Sequence, residues 1–368
     1  MESPFQGRLD RVQRALREAK LDYLFLSISP DLFYLTGYTT FVSERLHLLV
    51  IPPEGRPTMV TPGFETETVE HLAGWIDIAG WLESEDPIAL VRKTLAPRDR
   101  ESPLRIAISD HTRAVFVLRM QASLPRAQFV PASQILAPMR RVKDGSELQI
   151  LKEAQDMAVR ALQRLVEGPF AGRMEKQVAA DLRHHCEAVG LENAEGPLVG
   201  SGPNGASPHL APTDRVIQRG EPVVIDFGAV HRGYYSDCTR TVHVGPPSAE
   251  FREVFEIVRL ANHTALAAIR PGASCESVDR AARQVIKEAG YGESFTHRLG
   301  HGIGIEVHEE PYLVEGNKLL LEPNMTFTDE PGIYLAGKFG CRLEDVVAVS
   351  EGGSVKLTEY THDLLIVA

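Results

Sequence analysis

Cysteine is scarce: Cys186, Cys238, Cys275 and Cys341 are the only four in 368 residues, and no two of them form a CxxC pair. That spacing fits reduced thiols in a reducing compartment better than a disulfide framework or a thiolate zinc site, and each thiol reads best as a small buried hydrophobe. Basic charge is also short. Lysine and arginine number 39 against 50 acidic residues, a formal net charge of −11. No nucleic-acid partner is expected, because counterion release needs clustered basic side chains. Long apolar runs are missing as well, none reaching the ~20 residues of a bilayer span. The start, MESPFQGRLD, lacks the basic segment and apolar stretch of a secretory leader. No membrane partner is expected, and the default expectation is a cytoplasmic location. Short repeats, low-complexity tracts and heptad runs do not occur.

Hydrophobic residues make up 43% of the chain and charged residues 24%, the balance of an ordinary packed protein. At one domain per ~150 residues, 368 residues predict two domains. From Arg8 to about Val130 strand-like and helix-like stretches alternate: RLDRVQRALREA is helical in spacing, DYLFLS, HLLVIP and RIAIS are strand-like, and TRAVFVLRM is helical. This predicts an α/β domain over 1–131. The mixed segment PASQILAPMRRVKDG predicts a linker over 132–143, and a second domain over 144–368. The second domain opens on a helix with a capping-box pattern at Ser146 and Gln149. Further helices are predicted near 175–189, 249–269 and 276–289, two of them closed by Gly190 and Gly290.

Within the second domain, Asp226, Asp237, His301, Glu330 and Glu344 each sit in a glycine-rich apolar segment. Four carboxylates balance the charge of two divalent cations, and one imidazole adds a neutral ligand. EPVVIDFGAVHRGYYSDCTRTVHV reads as two strands turning at His231-Arg232 or Arg232-Gly233. In either register Asp226 and Asp237 share a face with Gly228, and the His231-Arg232 turn would set them directly opposite, while Cys238 points away. A solvated strand face is the ordinary reading of two such aspartates. The apolar run before Asp226 argues against it, because a buried unpaired carboxylate costs several kcal/mol, at ~1–3 or more. His297, His301 and His308 lie among glycines, where a histidine-rich surface loop is the rival to a ligand site; strand parity does not choose among them. Glu330 and Glu344 each border an apolar stretch. Asp329 and Asp345, pointing oppositely, are expected to meet backbone donors, arginines or solvent, and Arg342 shares a face with Glu344.

Over roughly residues 145–368 these five segments, in order, resemble the pita-bread metallopeptidases, and within them the Xaa-Pro peptidases aminopeptidase P and prolidase. The N-terminal part is similar, more loosely, to their creatinase-type domain. The resemblance implies an α+β architecture, a small α/β creatinase-like domain before a pita-bread catalytic domain. It implies that Asp226, Asp237, His301, Glu330 and Glu344 hold two metal ions, with Asp237 and Glu344 bridging and Glu330 relaying a proton. It further places His209 and His308 against the substrate and transition state, His297 and Arg342 at the proline end, and Tyr334 as an active-site tyrosine. Mn²⁺, Co²⁺ or Zn²⁺ suits the donor set, with Mn²⁺ expected. The expected partners are short peptides with proline second, and a second copy of the chain in a homodimer. Asp329, Cys238, Cys341 and His231 depart from common family residues without touching the ligand set. Methionine aminopeptidases generally lack such an N-terminal domain, creatinase lacks the metal set, and a non-catalytic relative would show a lost ligand. Because no motif announces a carboxylate clamp, the expectation favours an Xaa-Pro aminopeptidase, with an Xaa-Pro dipeptidase as the alternative.

Overall fold

The computed structural model describes residues 4–99, 103–194 and 196–368. The chain divides into two compact units between Arg140 and Arg141. The first contains α1 (Pro4–Glu18), β1 (Tyr23–Leu26), α2 (Pro30–Thr36), β2 (Leu48–Ile51), β3 (Thr58–Pro62), β4 (Asp77–Trp81), α3 (Pro87–Thr94), β5 (Arg105–Ile108), α4 (Ala114–Ser123), β6 (Gln128–Pro131) and α5 (Ser133–Arg141). Its strands form one mixed sheet in the order β4-β3-β2-β1-β5-β6. β1 and β2 are buried at every position, so they read as continuous apolar runs rather than alternating ones.

The segment expected as a linker is largely helix. α5 tolerates Pro138 because Leu136 and Arg140 are buried, and the Arg140 guanidinium donates to Asp31 at 2.8 Å. A fully exposed linker would have no such anchors, and up to Arg140 the segment belongs to the first unit. The helix after it is capped two residues earlier than expected. Asp144 accepts from the Ser146 and Glu147 amides, and the Glu147 carboxylate accepts from the Asp144 amide, so the box is Asp144 with Glu147.

The second unit contains α6 (Gly145–Val166), α7 (Glu175–Ala188), β7 (Leu198–Ser201), β8 (Pro222–His231), β9 (Tyr234–Val244), α8 (Ala249–Ala268), α9 (Cys275–Glu288), β10 (Gly300–Gly302), β11 (Glu309–Leu313), β12 (Thr326–Asp329), β13 (Gly332–Leu335), β14 (Phe339–Arg342), β15 (Asp345–Ser350), β16 (Gly353–Lys356) and β17 (Leu365–Val367). It is built in two halves of one plan, a long helix, a turn and a shorter helix bedded on a sheet. In the first half α6 and α7 cover the sheet β17-β9-β8-β7, and in the second α8 and α9 pack with β10-β16 elements around their own core.

Alternation along β8 decides what faces where. Val223, Ile225, Phe227 and Ala229 join the helix-covered core, which leaves Val224, Asp226 and Gly228 on the other face. β9 repeats the pattern, with Cys238 and Val242 in the core and Asp237, Thr239 and Thr241 turned away from it. The hairpin turns at Arg232-Gly233, both at positive φ (50° and 83°), the signature of a type I′ turn that a glycine makes accessible. Of the two registers open in the sequence, this one pairs Asp226 with Thr239 and Gly228 with Asp237. The aspartates therefore share a face as expected but are staggered diagonally rather than directly opposite.

Candidate metal centre

Both halves of the second unit contribute to one cavity of about 540 Å³, lined by Leu198, His209, Asp226, Gly228, Asp237, His297, Arg298, His301, Val307, His308, Glu330, Arg342 and Glu344 among others. Nine of the ten residues singled out in the sequence line it. Tyr334 does not, and stands behind the wall, where its hydroxyl meets the His297 Nε2 at 2.8 Å and accepts from Arg342 at 3.1 Å.

Asp237, His301 and Glu344 are buried, and one ligand atom from each lies within 4.8 Å of the others. The His301 Nε2 lies 3.6 Å from an Asp237 oxygen and 3.4 Å from a Glu330 oxygen. His301 Nδ1 sits 3.1 Å from the Gly302 carbonyl, which assigns the ring proton to Nδ1 and leaves the Nε2 lone pair facing the carboxylates. Burial, with His308 adding, pushes its pKa down to about 3, so the ring is neutral, as a ligand must be. β10 carries His301 on backbone pinned by Thr328, whose hydroxyl accepts from the His301 amide and donates to Glu330 at 3.0 Å. Thr239 donates to Glu344 at 2.5 Å from the β9 face that also presents Asp237. Strand parity could have found Thr239; it was overlooked because it carries no charge.

The electrostatics ask for a cation. Burial first, then the neighbouring carboxylates, drives Asp237 and Glu344 well above the usual carboxylate range. Glu330 is pushed to about 7 by burial, Arg342 offsetting part of the rise and Asp226 adding to it. Of the four carboxylates, Asp237 and Glu344 are buried and Asp226 and Glu330 partly so, and among the described residues the one guanidinium ion-paired with them is Arg342, which pairs with Asp226. Oxygen-rich donors, one oriented imidazole and unbalanced buried negative charge fit a divalent metal group.

The other cavity residues divide by what they already hold. His297 has both nitrogens engaged, Nδ1 against the Arg298 carbonyl at 2.7 Å and Nε2 against Tyr334, so only its ring carbons face the cavity. Its pKa is pushed down to about 4 by burial and then by Arg342. His209 and His308 are exposed at the cavity, the His308 ring lying edge-on to His301 at 4.1 Å. Arg298, missed in the sequence although it sits in HRLGH, stacks over Tyr312 at 4.3 Å and has no carboxylate partner among the described residues. Behind the site, Asp345 takes Arg240 at 2.8 Å and His362 at 2.6 Å, one of the settings expected for it. Asp329 meets none of those expected. It faces the Asn262 amide at 3.2 Å and is held well above the usual range by burial and by Asp345, its cross-strand partner.

Residues 149–351 match metallopeptidase family M24, and residues 8–142 match the creatinase/prolidase N-terminal domain. The chain is 38% identical to the probable dipeptidase PepE of Mycobacterium tuberculosis, over 99% of this chain and 96% of the relative. It is 34% identical to the Xaa-Pro dipeptidase of Lactobacillus helveticus, over 98% of each. Among solved structures, the prolidase of Thermococcus sibiricus superposes with a TM-score of 0.95 at 35% identity, over 100% of both chains. The X-Pro aminopeptidase of Thermotoga maritima superposes at 0.86 and 32% identity, over 98% of this chain and 99% of that one. The architecture agrees with the fold expected from the motifs, and the chain belongs to metallopeptidase family M24, a metal-dependent hydrolase with a pita-bread catalytic domain behind a creatinase-type N-terminal domain.

Proposed function

We propose that the chain is an Xaa-Pro dipeptidase, which reverses the preference for an aminopeptidase drawn from the sequence. The observation that carries this is Arg298. A guanidinium that lines the cavity without a carboxylate partner is suited to the free carboxylate of a C-terminal proline, a group that a longer peptide does not present there. Arg342 is not free for that task, because it is fully buried and paired with Asp226. The names of three similar proteins, two dipeptidases and a prolidase, support the same reading.

When bound, two metal ions supply the Lewis acidity that activates a water and polarises the carbonyl before proline. Asp226, Asp237, His301, Glu330 and Glu344 would hold them, and Mn²⁺ is the ion proposed, on the strength of a mainly carboxylate donor set. Glu330, whose carboxylate is fixed by the Thr328 hydroxyl at 3.0 Å, would take the proton from the attacking water. As the new C–O bond forms and the C–N bond to proline breaks, that proton passes to the prolyl nitrogen. His209 and His308 face the cavity from opposite segments and would donate to the developing oxyanion. Leu198 and Val307 give the cavity an apolar wall for the side chain before proline. A cytoplasmic homodimer completes the proposal; the four free buried thiols support the location and the family resemblance supports the dimer.

The test compares an Xaa-Pro dipeptide, its C-terminal amide and an Xaa-Pro-Yaa tripeptide with Mn²⁺ present. Hydrolysis confined to the free dipeptide, with Arg298→Met raising its KM at least tenfold, is the expected result. Tripeptide turnover as efficient as dipeptide turnover would return the assignment to an aminopeptidase.

A further inference from the structure

Glu175 is fully buried and far in sequence from every metal ligand, yet its carboxylate is saturated with donors. One oxygen accepts from the Ser201 amide and hydroxyl, each at 2.7 Å, and from the Asn204 side-chain amide at 3.1 Å. The other accepts from the Thr213 amide at 3.0 Å, the Thr213 hydroxyl at 2.7 Å and the Asn204 amide at 3.0 Å. Burial alone would raise its pKa, but these donors outweigh it and hold the group below the ordinary glutamate value. It is an ionised carboxylate at the first residue of α7, where the helix dipole also favours negative charge.

Nothing in the metal chemistry uses this charge. What it joins is informative, because Ser201 and Thr213 are the two ends of the segment that carries His209. Asn204, held by the same carboxylate, lies in the short turn Gly202–Ala206 between them, and donates to Thr213 as well. The middle of the segment has a second anchor, since Arg342 donates to the carbonyl of Pro208, the residue before His209. Arg215 adds a third by donating to the Ser201 hydroxyl at 2.6 Å. His209 itself is exposed, so its place at the cavity is set by its backbone.

We propose that Glu175 is a positioning residue for the hydrolytic reaction: it cinches the 201–213 segment at both ends and so fixes His209 over the metal cluster. This deepens the dipeptidase reading and rests on it for its kinetic consequence. Displacing a transition-state contact by ~1 Å costs up to about a hundredfold in rate. A neutral amide at position 175 keeps the shape, removes the charge, and turns an NH₂ group toward donors.

The experiment uses the metal-loaded full chain with four proteins, wild type, Glu175→Gln, His209→Ala and the double variant. Expected for Glu175→Gln are unchanged metal content, KM within about threefold, and kcat lower by ten- to a hundredfold. In the His209→Ala background the same change should cost less than twofold, because the group it positions is gone. Hydrogen exchange should speed up at least tenfold in peptides covering 201–213 while β8 and β9 stay protected. If the wild type cleaves no Xaa-Pro dipeptide, the functional reading fails, and the exchange measurement still decides the role of Glu175. Should Glu175→Gln not fold, Thr213→Val removes the hydroxyl that donates to Glu175 and accepts from Asn204 and the Arg215 amide, and is expected to show the same pattern more weakly. Unchanged exchange at 201–213, or an equal loss of kcat with and without His209, would overturn the proposal.

Discussion

Stripping the metals should make the protein less stable as pH rises above neutrality, opposite to the behaviour of a protein held by ionised, well-paired carboxylates. In the folded, metal-free chain Glu330 keeps its proton to about pH 7, and Asp237 and Glu344 are driven well above the usual range. Unfolded carboxyls lose theirs near pH ~4. A proton held more tightly by the folded state stabilises fully below the unfolded pKa and is lost as pH climbs through the folded one. His301 and His297 act in the opposite sense, because their folded values of about 3 and about 4 lie below the unfolded ~6.5. Their contribution is complete once pH exceeds the unfolded value, so the window from pH 7 to 8.5 isolates the carboxylates. Glu330 releases its proton near the start of that window, and a single proton retained across it by the Asp237–Glu344 pair is worth ~1.4 kcal/mol per pH unit, about 2 kcal/mol in all. For a unit of this size that is a fall of roughly 4–8 °C in Tm. Calorimetry of chelated protein at pH 7.0, 7.5, 8.0 and 8.5 measures it, with a parallel series at saturating Mn²⁺ in which the slope should vanish. A chelated transition that stays level or rises over this range would refute the electrostatic account of the site.

Two substitutions extend the same reasoning. Asp237→Asn should abolish turnover and lower metal occupancy, measured by elemental analysis. At pH 8 the chelated variant should melt above chelated wild type, by the equivalent of ~1 kcal/mol, because the folded state no longer has to take up a proton at position 237. Gly340→Ala would set a methyl carbon 1.8 Å from the Gly205 carbonyl oxygen, forcing the turn before His209 to move. The expected cost is ~1–3 kcal/mol in denaturant unfolding together with a reduced kcat, since displacement of that turn shifts the His209 segment.

The sequence was most informative where periodicity of two governs. The shared face of Asp226 and Asp237 and the inward turn of Cys238 follow from alternation alone, and the structure keeps both. Register was open because either two-residue turn preserves that parity; backbone dihedrals at Arg232 and Gly233, not side-chain type, select between them. The capping box at Asp144 and Glu147 overlaps the Ser146 and Gln149 pattern by two residues, so composition could not separate them. Arg298 was missed for a different reason. An arginine in a loop is usually solvated or paired, and only its position in the cavity wall marks it out. Glu175 and its donors at 201, 204 and 213 lie up to 38 positions apart, beyond any local pattern. The helical character of 133–141 was hidden by Pro138, whose disruption is offset by buried contacts of Leu136 and Arg140.

The central claim is that the buried acidic cluster holds two metal ions that make the chain a dipeptidase. Titrating Mn²⁺ into chelated protein while following hydrolysis of an Xaa-Pro dipeptide tests it most directly. Activity that is absent without metal and saturates at two equivalents per chain is the predicted result. Full turnover in the chelated protein, or saturation with no metal retained by the Asp237, His301 and Glu344 cluster, would contradict it.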